Sequence, residues 1–164
     1  MEKIRNNINK VVESISWTML MFMTILVAWQ VITRFVLNNP STITEALAKY
    51  MFLWLTMIMA GYLVGKREHM ALEIIVMNVS KKMQCIFGII SESVIFLFML
   101  IVLGYGGGYI SLNSMNQTDM ALPVPIGIIY MALPIGGILA AFYSFCNILD
   151  IYKKFAKLKK GEIK

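Results

Sequence analysis

Glu92 is the one acidic residue well inside a long apolar run, flanked by Ser91 and Ser93, and it is the first candidate for chemistry. An unpaired charge at the centre of a bilayer costs roughly 2.5 to 3.5 kcal/mol on insertion scales, so the carboxyl must be protonated or partnered. The sharper reading is a proton or cation relay. The plainer one is a polar contact to another helix or subunit, with Gln30 and Trp29 as candidate partners. No second acid or base stands at comparable depth in the sequence, which favours the polar contact. His69, in Arg67-Glu68-His69, is the only histidine. It has no Cys/His cluster around it, so an interfacial hydrogen bond or helix-end cap is expected rather than a metal site. Cys85 and Cys146 lack CxxC spacing and map near the same face, unlike the outward pairs of a thiol-oxidising enzyme. With no glycine loop before a Lys-Ser/Thr pair, the chain is not itself an ATPase. No catalytic, cofactor or metal residue is expected.

The elements that must position Glu92 are four apolar runs, at about 15–36, 44–64, 85–105 and 126–149. Each meets the roughly 20 residues needed to cross about 30 Å of hydrocarbon. The expected fold is all-α, a single membrane domain over 1–164 with four transmembrane helices. Thirteen of the fifteen Lys and Arg residues fall before the first run, between the second and third, and after the fourth. The positive-inside rule then puts both termini and the middle loop in the cytoplasm. The net charge of +6 is concentrated next to the spans, which fits attraction to anionic phospholipids rather than to nucleic acid. The first run is too long for a signal peptide and lacks a small-residue cleavage site, so it stays as a span.

Two amphipathic interfacial helices are expected beside the spans. Ile4, Ile8, Val11, Val12 and Ile15 recur at helical spacing with Lys3, Asn6, Asn7, Lys10 and Glu13 between them. Leu72, Ile75, Val76, Val79 and Met83 repeat the pattern in the middle loop. Past the fourth run, Ile148, Tyr152 and Phe155 among lysines extend that helix into the headgroups, where lysine stems snorkel.

Gly104 and Gly108 stand four apart where the third run ends, a spacing that lets helices approach closely or lets one unwind into a loop. Pro134, Gly136 and Gly137 predict a kink in the fourth span. The outward loops carry few polar groups: Asn38, Asn39, Asn113, Asn116, Gln117 and Asp119.

Taken together, Arg34-Phe35, Thr44-Glu45-Ala-Leu-Ala-Lys49-Tyr50, Trp54, Gly61 and Arg67-Glu68-His69 resemble the small membrane subunit of tripartite ATP-independent periplasmic (TRAP) transporters. TDMALPVPIGIIYMALP, from Thr118 to Pro134, is similar to that family's second shared stretch. The chain departs from the pattern at Ile43, Ala46, Lys49 and Leu72-Glu73. Lysine in place of arginine at 49 keeps the charge without the bidentate fork.

The resemblance implies a multi-pass protein of the bacterial inner membrane that partners a large membrane subunit and a periplasmic substrate-binding protein. Sodium and an organic acid would bind the large subunit, with no cofactor on this chain. This chain would be a scaffold for an elevator-type transporter. Trp54, Gly61 and His69 are family-motif positions. Arg34, Glu45 and Lys49 are expected to form a charged cluster at the outer face, structural or at the subunit interface, with Glu45 and Lys49 one turn apart. Asn38, Asn39, Gln117 and Asp119 are candidates for docking the binding protein. The alternative is an autonomous small proton-coupled exporter, working as an oligomer with Glu92 as its coupling site.

Overall fold

A computed structural model describes residues 2–66 and 80–159. His69 and the middle-loop stripe from Leu72 to Val79 lie outside the described residues. Among the described residues four helices are long and apolar enough to cross a membrane: Arg5–Phe35, Thr42–Lys66, Lys81–Asn113 and Ile126–Leu158. The described residues are 86% helical and hold no strand. The all-α, four-span architecture expected from the hydropathy pattern is therefore the one observed.

In chain order the elements are α1 (Glu2–Phe35), α2 (Thr42–Lys66), α3 (Lys81–Phe98), a π-helical segment Met99–Gly106, α4 (Gly107–Asn113), α5 (Ile126–Tyr130) and α6 (Ala132–Lys159). Two boundaries differ from the sequence reading. The N-terminal amphipathic stretch is helical but continuous with the first span, so α1 runs 34 residues, about 51 Å, without turning at the membrane surface. The third span does not end at Tyr105: α3, the π segment and α4 follow one another through to Asn113. No proline interrupts either stretch, and the glycines at 104–108 continue the helix instead of unwinding it.

The fourth span does break, at Met131. Pro134 explains the position, because its ring has no N–H for the Tyr130 carbonyl and collides with it. Ile135 resumes the ladder with its N–H 3.2 Å from the Met131 carbonyl oxygen.

α6 is the hub of the packing. Its apolar window is 44% buried, against 11% for the first span and 6% for the third. α2 lies on one side of it, α3 and the π segment on another, and α1 packs along α2 and reaches α6 at its base. The four spans thus form an open row, α1–α2–α6–α3. Adjacent glycines let α6 serve both neighbours. A Cβ on Gly136 would stand 2.8 Å from the Met57 carbonyl oxygen of α2, and one on Gly137 2.6 Å from Leu103 Cβ of the third span. Val64, Ala140 and Tyr143 form the buried core, with Ile8, Ile95 and Met99 packed against it.

Candidate functional site

Arg5, Asn9 and Glu13 recur every four residues and share one face of α1. That face reaches α2 and α6, with Arg5 and Asn9 half-buried and Glu13 still exposed. Arg5 donates to the Gly65 carbonyl and pairs with Asp150 at 3.4 Å. The Tyr143 hydroxyl donates to Asn9 Oδ1 at 2.5 Å, and the Tyr62 hydroxyl donates to the Glu13 carboxylate. Two carbonyls in the last described turn of α2 accept from side chains of its neighbours: Gly65 from Arg5, and Val64 from Asn147 Nδ2 at 2.9 Å.

Asn147 links this layer to Glu92. Its Nδ2 also stands 3.0 Å from Glu92 Oε1, while Ser144 Oγ lies 2.7 Å from Glu92 Oε2 and 2.8 Å from the Glu92 carbonyl oxygen. Ser144 and Asn147 are fully buried and Glu92 is 5% exposed. The partners of Glu92 are thus on α6 and not at Gln30 or Trp29, since α1 does not flank α3. A second acid, Glu13, also sits in the layer, because the continuous α1 carries it alongside Tyr62 in α2. One polar layer therefore joins all four spans near the face that bears both chain ends.

At the opposite face the sequence-derived cluster is only partly assembled. Glu45 Oε1 and Lys49 Nζ pair at 2.7 Å across one turn of α2. Arg34 joins neither described ion pair and lies over the Phe35 ring, 5.7 Å from its centroid. Glu45 stands in the first turn of α2, where the helix dipole favours an acid. Asn38 takes φ 48°, a left-handed conformation that asparagine tolerates at the end of α1, and the Asn39 N–H returns 3.0 Å to the Thr33 carbonyl.

Asp119 anchors the second outward loop. Its carboxylate accepts the Tyr50 hydroxyl of α2 and the backbone N–H groups of Ala121 and Leu122 at 2.8 and 3.0 Å. The Tyr50 hydroxyl first, then those two N–H groups, hold its carboxyl below the ordinary value of 3.8. The Asp119 N–H returns to the Val124 carbonyl at 3.2 Å, and the Ile126 N–H to the Gln117 carbonyl at 2.8 Å. Gln117 is exposed on this closed loop, as are Asn113 and Asn116.

Of the remaining sequence candidates, Trp54 is half-buried and Gly61 is buried at the α2–α6 crossing, where a Cβ would meet Gly136 O and Ala140 N at 3.2 Å. Gly104 and Gly108 separate: a Cβ on Gly137 would stand 3.0 Å from the Gly104 nitrogen, whereas one on Gly108 meets nothing within 4 Å. Sequence reasoning missed Arg5, Asn9, Tyr62, Tyr143, Ser144 and Asn147. Only the four-residue repeat on α1 signalled any of them.

The chain was compared with known proteins. The family model for the DctQ component of tripartite ATP-independent periplasmic transporters matches residues 23–154. A putative TRAP transporter small permease protein of Haemophilus influenzae is 26% identical over 100% of this chain and 99% of its own length. The sialic acid TRAP transporter small permease protein SiaQ of Vibrio cholerae is 22% identical over 93% of this chain and 88% of its own. Proteins of this kind work in the inner membrane with a large membrane subunit and a periplasmic binding protein. Four apolar helices agree with that setting, and the chain belongs to the DctQ family, the small permease subunits of TRAP transporters.

Proposed function

We propose that this chain is the static scaffold of a sodium-coupled TRAP transporter for an organic acid, widening and anchoring a large elevator-type subunit that itself binds sodium and substrate. The observation that carries this reading is the enclosure of Glu92 by Ser144 and Asn147. A coupling carboxylate must exchange protons or ions with water, and this one is 5% exposed within a helix contact. An open row of four helices also encloses no polar path across the membrane.

The face offered to the large subunit is the third span, only 6% buried, where Gly108 leaves open space between Tyr105 and Tyr109, exposed at 78% and 63%. Small residues on such a face permit close approach of a second helix. The charge rule places the polar layer at the cytoplasmic face and the loop held by Asp119 in the periplasm, where Asn38, Asn39 and Gln117 are available to the binding protein. Sialic acids and dicarboxylates are the expected substrate class, the first suggested by the name of the Vibrio cholerae relative.

The test is to purify this chain by its own tag with and without the large subunit, then to assay sodium-driven uptake in liposomes with binding protein added. The scaffold reading expects a one-to-one complex, uptake that needs all three parts, and retained uptake in Glu92→Gln. Transport by this chain alone, abolished by Glu92→Gln, would establish the autonomous exporter instead.

A further inference from the structure

On the face that carries both chain ends, the base of α1 and the last turns of α6 leave a crevice of about 810 Å3. Its walls come from opposite ends of the sequence, with Lys3, Arg5, Asn6 and Asn9 on one side and Asp150 and Lys153 on the other. Three cations face one carboxylate, so the formal charge of the lining is 3 − 1 = +2. Arg5 is held by the Gly65 carbonyl and by Asp150 at 3.4 Å, which fixes its guanidinium before any ligand arrives. Asn9 is fixed too: Tyr143 donates to its amide oxygen, which leaves the NH2 group as a donor. Lys3 and Lys153 are exposed on the two walls and stand in no ion pair among the described residues.

We propose that this crevice binds a phosphate ester or phosphate ion, with charge supplied by Lys3 and Lys153 and direction by Arg5 and the asparagine amides. A planar guanidinium beside two ammonium groups matches the charge and oxygen geometry of phosphate. Two sources carry that chemistry: the headgroup of an anionic phospholipid and soluble phosphate. The surroundings favour the lipid, because Trp17, Leu20, Leu55 and Met59 line an apolar groove between α1 and α2 further along the same side of α1. Acyl chains can follow that apolar wall while the headgroup stays at the water end, and basic pockets between spanning helices are established headgroup sites in membrane proteins generally. The proposal does not depend on the transporter reading.

The experiment uses the full chain in a neutral detergent, with native mass spectrometry against cardiolipin, phosphatidylglycerol and phosphatidylcholine, and with inorganic phosphate as competitor. Two double variants remove the same charge: Lys3→Gln with Lys153→Gln inside the crevice, and Lys154→Gln with Lys157→Gln outside it. All four lysines are exposed, and thermal melting checks that each variant remains folded. The expected result is roughly thirtyfold weaker anionic-lipid binding in the first pair and little change in the second. Displacement or replacement of lipid by inorganic phosphate in the unmodified chain, lost in the first pair, would support the same site with a soluble source. Equal losses in both pairs, or phosphatidylcholine binding as tightly as the anionic lipids, would overturn the proposal.

Discussion

The side-chain amide of Asn147 donates to Glu92 across 3.0 Å and, from the same nitrogen, to the Val64 carbonyl across 2.9 Å. One residue of the fourth span therefore holds the third span by a carboxylate and the second by a backbone carbonyl. Buried polar groups that lose a partner cost about 1 to 3 kcal/mol. Glu92→Ala removes the carboxylate acceptor of both Ser144 and Asn147, leaving each only a backbone carbonyl, so a fall in the melting temperature of the detergent-purified chain is expected. Glu92→Gln keeps an acceptor for Asn147 and should melt much closer to the unmodified protein. Equal losses in the two variants would contradict this account.

Two glycines on neighbouring helices should behave oppositely. A methyl on Gly136 collides with the Met57 carbonyl, which is backbone and cannot rotate away, so Gly136→Ala should destabilise the chain by about 1 to 3 kcal/mol. Gly108→Ala meets nothing within 4 Å and should leave the melting temperature unchanged or slightly raised. If the third span faces the large subunit, Gly108→Leu will reduce recovery of the complex while the isolated chain still melts normally.

The outward loop should be insensitive to pH until strongly acidic conditions. Asp119 has a depressed carboxyl, so the stabilisation it gives is present above the ordinary value of 3.8 and lost as pH falls through its lowered one. Tyr50→Phe removes the largest cause of that depression. An NMR titration of Asp119 should then move up toward 3.8, and protease cleavage between Asp119 and Pro125 should quicken. An unchanged titration would show that the Tyr50 contact does not form in solution.

Ser16 is 7% exposed, and its hydroxyl has no hydrogen-bond partner among the described residues. Ser16→Ala should accordingly be neutral or stabilising by up to about 1 kcal/mol in thermal melts. A clear loss would reveal an acceptor for this hydroxyl.

Hydropathy reports which residues sit in the apolar slab, and for that reason the four spans and the odd position of Glu92 were readable in advance. It does not report which helix stands beside which. Gln30 and Trp29 stood as candidate partners of Glu92, whereas its actual partners Ser144 and Asn147 lie 52 and 55 residues away. Glu13 is exposed, in keeping with the polar stripe of α1, but periodicity could not announce that it also accepts the Tyr62 hydroxyl. The outer cluster illustrates the same limit. The four-residue spacing of Glu45 and Lys49 foretold their ion pair, but nothing local could announce that Tyr50 reaches Asp119, 69 residues on.

The row of spans has a mechanical consequence. With neighbouring axes about 8 to 10 Å apart, α2 and α3 stand about 16 to 20 Å from each other on the two sides of α6. Tipping that row by about 10° would shift the far helix by about 3 Å against the bilayer, at fractions of a kcal/mol for each ångström of mismatch. On the scaffold reading proposed above, the lipid would resist rocking along the row, and the chain would act as an outrigger for whatever is fastened to its edge.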